Sequence, residues 1–268
     1  MRARVRQALF RTGRVSVEAT PASEVSRTVD LLRPWSTPIP LIRLGAPGDG
    51  GYLVPDDLEG ITACFSPGVD SSWSFESALL ERYGIPSYLC DRFDTPPATP
   101  HAVDNFWLGP SSRPGESSLA DWVALREAES SGDLILQMDI EGAEYLTLLS
   151  CSRELLLRFR IIVLEFHRLE LMTIRAVHDS LYRPLFERLL EDFFVVHIHP
   201  NNAGAVDHTS GIDIPMLLEV TLLRRDRASP QLGPVSIPHD LDSPNVEAAP
   251  DIQLSDAWHR MAEPRNVR

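Results

Sequence analysis

The chain has 268 residues, 43% of them apolar and 24% charged, enough for one large α/β domain with short extensions and too few for two comfortable ones. No apolar run is long enough to cross a bilayer, and the net charge of -13 argues against nucleic acid, which needs a basic surface, and for a small or uncharged acceptor. All 25 basic residues are arginine, which excludes Schiff-base chemistry, a lysine-held pyridoxal phosphate and a P-loop.

The opening MRARVRQALF is basic and weakly amphipathic, with no apolar core or cleavage site after it, so a cytoplasmic protein with a loose N-terminus is expected. Residues 1–40 read as a leader and a short helix over 24–32, with Pro34, Pro38 and Pro40 forming an extended connector. Two short apolar runs, 41–44 and 52–54, flank a Gly-rich turn and read as a β-hairpin that opens a domain over 41–226. Asp49, Gly50 and Gly51 are explained by turn chemistry alone.

From Ile61 the pattern becomes strand, loop, helix, repeated. Strand 61–65 leads through SPGVDSS into a helix over 73–83; strand 87–90 stops at Asp91; 103–108 is a third strand. Ser117 and Ser118 precede the helix LADWVALREAE, and 134–138 is a fourth strand followed by a helix from Gly142 with Ala143, Leu146 and Leu149 at helical intervals. Strand 160–166 is the most apolar, a long amphipathic segment spans 169–190, FFVVHIHPNN follows, and 214–223 is the last strand. The alternation argues for a parallel sheet covered on both faces and ending in an antiparallel hairpin. The Pro- and Asp-rich tail 227–268 reads as coil wrapped over the domain or partly disordered. Cys64, Cys90 and Cys151 lack metal-type spacing and read as buried thiols in a reducing compartment.

If the sheet is parallel, its carboxyl ends gather the loop after the first strand, Asp91, Asp139, Glu141, Glu165, His167 and the run 197–202, with Glu219 facing the same edge. Asp139 and Glu141 could cap the helix, but one carboxylate suffices for a cap, and two beside a Gly that lets a ligand approach the backbone favour a site. One Gly, a ribose-binding Asp91 and an acidic floor suit a cofactor with a ribose and an amino-acid group but no phosphate chain, S-adenosylmethionine. His167 is the candidate general base, with Glu165 two residues earlier on the same strand face to raise its basicity. The same atoms, with His197 and His199, suit a divalent metal; that use is compatible with the sequence but not expected, since paired strand histidines more often shape a turn. The segments 95–100 and 201–213 are candidate lids.

Taken together, RLGAPGDGGYLV, FSPGVDSSWSFE, LILQMDIEGAEYLTLL, IIVLEFHRLE, VVHIHPNN and LDSPN occur in the order that resembles the FkbM-type methyltransferases, over about residues 41–245. The resemblance implies a Rossmann-like class I methyltransferase fold: a mostly parallel seven-stranded sheet, helices on both faces, a final antiparallel strand, and an N-terminal helix and hairpin extension. It implies S-adenosylmethionine as cofactor, S-adenosylhomocysteine as product, and methylation of a hydroxyl on a sugar or natural product. It places Ser66, Pro67, Gly68, Asp70 and Ser71 in the first cofactor loop, Asp91 at the second strand's end, Ser118 among the cofactor residues, and Asp139, Ile140 and Glu141 beside the methionine end. SPGVDSS departs from the Gly-rich form typical of class I methyltransferases. A metal-dependent hydrolase using Asp139, Glu165, His167 and His197 and a non-catalytic protein of the same fold are the competing readings, and the oligomeric state is left open.

Overall fold

The computed structural model describes residues 17–69, 72–95, 97–127, 132–231 and 235–259. Helix α1 is Ala22–Leu32; β1 (Leu41–Leu44) and β2 (Tyr52–Pro55) form the hairpin; β3 (Ile61–Pro67), α2 (Ser74–Tyr83), β4 (Ser87–Asp91) and β5 (Ala102–Asn105) follow. A small pair, β6 (Trp107–Gly109) and β7 (Glu116–Ser118), precedes α3 (Leu119–Glu127), β8 (Asp133–Met138), α4 (Glu144–Ser150), α5 (Arg153–Leu156) and β9 (Phe159–His167). After a 3-10 turn come α6 (Arg175–Val177), a π turn, α7 (Arg183–Asp192), β10 (Phe193–Pro200), the short pair β11 (Val206–Asp207) and β12 (Ile214–Pro215), and β13 (Leu217–Arg224).

Seven strands form one sheet in the order β10-β13-β9-β8-β3-β4-β5. The pairs from β9 to β5 are all parallel, while β13 runs antiparallel to both of its neighbours. Side chains alternate across a strand, and here the two faces carry different cover. Phe65, Leu136, Leu164 and Val220 pack beneath α1, α3, α4 and α7, while Cys64, Ile135, Val163 and Leu223 pack beneath α2 and the β1–β2 hairpin. Helices thus lie on both faces, one of them covered mainly by the hairpin and a single helix.

Other differences have local causes. The expected third strand over 103–108 breaks at Phe106, whose ring packs edge-on against Trp122 while the chain turns into β6. The amphipathic segment 169–190 is divided into 3-10, α and π turns, and Pro184 lies in the first turn of α7, where a missing N–H costs nothing. The last strand begins at Leu217 rather than 214, because Ile214–Pro215 pairs with β11 instead. Helix α4 starts at Glu144 and buries Tyr145 and Leu148, leaving Leu146 55% exposed on the side expected to be apolar.

The described part of the tail packs on the domain. Trp258 is fully buried and its Nε1 donates to the Asp213 carbonyl at 2.8 Å, Leu254 joins the same core, and Arg33 Nε donates to the Ala257 carbonyl at 2.7 Å. All three cysteines are free and buried. Among the described residues no helix is long and apolar enough to cross a membrane.

Candidate functional site

From β3 the chain moves outward through β4 to β5, then crosses back to β8 and outward the other way to β9. The carboxyl ends of β3 and β8 thus diverge from a switch point, the place where open α/β sheets leave a crevice. Gly68 makes that junction close: its φ is +86°, its N–H donates to the Cys90 carbonyl at 3.0 Å, and the Asp139 N–H donates to the Pro67 carbonyl at 3.3 Å. Asn105 fixes the next loop from both sides, accepting from Phe93 N at 3.0 Å and donating to Phe93 O at 2.8 Å.

A cavity of about 830 Å³ opens here, with Gly68, Asp91 and Asp139 on its polar side and Phe93, Trp107 and Leu146 on its apolar side. Trp107 and Leu146 are each more than half exposed and form its rim. A smaller cavity of about 100 Å³ shares Asp49, Gly68 and Asp139 and runs beneath the hairpin to Tyr52, Glu76 and Gln137.

The period of two that builds the hairpin-side core also builds the polar floor. On that face, the apolar residues give way at the strand ends to Asp139, Glu165, Glu219 and His199. Register aligns His199 with Glu219 and Glu219 with Glu165, while Met138 pairs with Leu164, so the four side chains form one row across four strands. Two acids of the row are held from outside the sheet: Asn201 Nδ2 donates to Glu165 Oε1 at 2.8 Å and Asn245 Nδ2 to Glu219 Oε1 at 2.6 Å. His199 Nδ1 lies 3.4 Å from Glu219 and its Nε2 3.3 Å from Asp251.

His167 lies at the Asp139 end of the row. Its Nδ1 is 3.2 Å from Glu144 Oε1, and its Nε2 is 3.4 Å from Glu141 Oε2 and 3.7 Å from Asp139 Oδ1. Burial disfavours its charge, but the carboxylates of Glu144, Asp139 and Glu165 outweigh this and move its pKa upward, which makes the ring a stronger base. Burial and then the neighbouring acids Asp139 and Glu219 raise the pKa of Glu165. Asp139 is also raised, by burial, with His167 pulling the other way. Glu144, fully buried, accepts from Ile140 N at 2.9 Å and Gly142 N at 3.1 Å, which sets the turn ahead of α4. In that turn Glu141 has a φ of 57°, a conformation uncommon outside glycine.

The structure brings Gly68, Asp91, Asp139, Ile140 and Glu141 together at the large cavity. Ser66 is completely buried against Glu76 and Gln137, and Pro67 contributes its carbonyl to the junction. Ser118 does not line either cavity; its hydroxyl accepts from Asp121 N at 3.1 Å and so opens α3. Asp70 and Ser71 lie outside the described residues. The carboxylate against the His167 ring is Glu144: Glu165 meets that ring through its backbone carbonyl, 3.3 Å from Nδ1, while its side chain turns to Asn201. His197 and His199 belong to β10 and are buried, with His197 Nε2 2.9 Å from Asp242 Oδ1; they do not shape a loop. Sequence reasoning missed Tyr52, Trp107, Asn105 and Asn245, whose positions depend on contacts made across long stretches of chain. Glu144 was within reach, since an acid two residues after Gly142 is well placed to accept from the turn's N–H groups.

Among the described residues, two groups of side chains bring metal-capable atoms within 4.8 Å of one another, Asp139–Glu144–His167 and Glu24–His178–Asp179. Compared with known protein families, with curated proteins and with solved structures, the chain matches none.

Proposed function

We propose that the chain is an S-adenosylmethionine-dependent methyltransferase of the FkbM type, with a Rossmann-like class I fold, transferring a methyl group to a hydroxyl of a sugar or natural-product acceptor. The observation that carries the reading is the two-part crevice at the switch point: Asp91 and an apolar wall on one side of Gly68, Asp139 and the small acidic cavity on the other. Asp91 offers a carboxylate to a ribose diol, Phe93, Trp107 and Leu146 offer an apolar slot to a purine, and Asp139 offers an anion to the methionine ammonium. The antiparallel β13 within an otherwise mostly parallel seven-stranded sheet supports the same fold reading.

Methyl transfer from sulfur to oxygen asks the protein mainly to align the acceptor and take up its proton. Asp139 lines both cavities and His167 stands against it, so this pair is assigned the proton, with Glu144 orienting the ring. The deciding experiment is calorimetric titration with S-adenosylhomocysteine, repeated on Asp91→Ala and with a chelator present. Saturable binding, weakened roughly 10-fold or more by the substitution as expected for losing hydrogen bonds to a charged group and unaffected by chelator, supports the reading. Absence of binding to folded protein overturns it.

A further inference from the structure

We propose that Asp139, Glu144 and His167 form a divalent-cation site at the crevice, suited to Mn2+ or Zn2+. The site itself rests on the donor geometry, while its use with a hydroxyl acceptor rests on the methyltransferase reading above.

The three side chains come from the end of β8, the start of α4 and the end of β9, and converge on one point. Their donors are one imidazole and two carboxylates, a mixed nitrogen and oxygen set that first-row divalent ions prefer. One donor atom from each of the three side chains lies within 4.8 Å of the others, a spread that a cation with ligand bonds of about 2.0–2.2 Å closes with a small side-chain adjustment.

Independent of the clustering, two oxygens in it are unaccounted for. Glu144 has a side chain with 0% exposure, its carboxylate faces the His167 ring, and its Oε2 has no hydrogen-bond partner among the described residues. Asp139 Oδ1 is likewise buried without one. Buried carboxylate oxygens are normally satisfied, so two left over beside one imidazole offer acceptor capacity to a cation, which would displace any proton the ring holds.

The second metal-capable group makes the contrast. Around Glu24, His178 and Asp179 the charge is already supplied: Arg175 pairs with Glu24 at 2.9 Å and Asp179 at 2.6 Å, and Thr28 occupies His178 Nε2 at 2.8 Å. In the Asp139 group no arginine is paired to either acid or to Glu141 among the described residues. Glu141, with an 87% exposed side chain 3.4 Å from Nε2, is free to add a further oxygen. Asp139 lines the crevice, so open coordination positions face the space where an acceptor hydroxyl would bind, and a cation there would polarise it.

The test is Mn2+ binding to chelator-stripped full chain, followed by electron paramagnetic resonance. Wild type is expected to bind a single Mn2+ saturably; Asp139→Asn and His167→Asn, each checked for native circular dichroism, should weaken it roughly 100-fold, at the upper end of what even outer-shell changes cost. Glu24→Gln should leave it unchanged. Folded wild type that takes up neither Mn2+ nor Zn2+, or equal binding by wild type and both variants, overturns the proposal. S-adenosylhomocysteine titration of the same stripped samples separates the two readings: Mn2+ bound without the nucleoside leaves the cation site standing and removes the methyltransferase, and the reverse removes only the cation site.

Discussion

The carbonyl oxygen of Asp139 lies 1.4 Å from the point a Cβ on Gly68 would occupy. No side chain fits there, and the φ of +86° excludes one independently. Gly68→Ala should therefore push apart the ends of β3 and β8, lowering stability by about 1–3 kcal/mol or more. S-adenosylhomocysteine affinity should fall further than stability alone explains, because the junction is the floor of both cavities. Denaturant unfolding and calorimetry on the same sample check this; a variant with wild-type affinity would show that the junction does not shape the crevice.

The pH dependence of stability should carry the signature of His199. Burial lowers its pKa, but Glu219, Asp242 and Asp251 more than compensate and bring it to about 9. A folded value above the unfolded one of about 6.5 contributes stability that is fully present below pH ~6.5 and is lost as pH rises through about 9. Melting temperatures of wild type should fall across that interval more steeply than those of His199→Gln. Parallel curves would mean that His199 is not charged in the folded protein.

At the amino end of β8, Asp133 accepts from Arg160 Nε at 2.8 Å and from Arg224 Nη1 at 2.8 Å. Burial raises its pKa, and the two arginines outweigh that and lower it. Asp133→Asn should cost about 2 kcal/mol, as expected for lost bonds to charged groups, and leave cofactor affinity unaltered. The stability difference should shrink as pH falls through the carboxylate range, because the wild-type group then protonates too.

Trp258→Ala should destabilise the protein by about 3–5 kcal/mol, the usual cost of truncating a buried aromatic. It should also release the preceding segment that carries Asp242, Asn245 and Asp251, detectable as faster hydrogen exchange in residues 241–251. Retained protection there would show that the segment is held by the acidic row alone.

The sheet was legible because its strands are written as apolar runs ending in polar residues. Strand 134–138, for example, ends at Asp139, and 160–166 runs into His167. Period two also put Glu165, His167 and Glu219 on a common face. What failed was anything depending on which carboxylate turns toward which ring. Glu165 and Glu144 are both close to His167 in space, but Asn201, thirty-six positions from Glu165, draws the Glu165 side chain away. Ser118 reads as a ligand contact or a helix cap with equal ease, since a hydroxyl before a helix suits both, and only the placement of Asp121 decides it. Trp107 falls inside the strand expected over 103–108, yet it stands 57% exposed because the chain breaks out of the sheet at Phe106.

The position of β13 has a consequence for biogenesis. It is made after β10 yet lies between β9 and β10, so a chain still being synthesised has every residue of β9 destined for burial and one edge of that strand unpaired. Such an edge recruits whatever strand is offered, including one from another nascent copy. The arrival of residues 217–224 closes it and delivers Glu219 in the same step. A fragment that ends too early is thus marked by stickiness and lacks a finished acidic row, so quality control meets an incomplete chain before any ligand does.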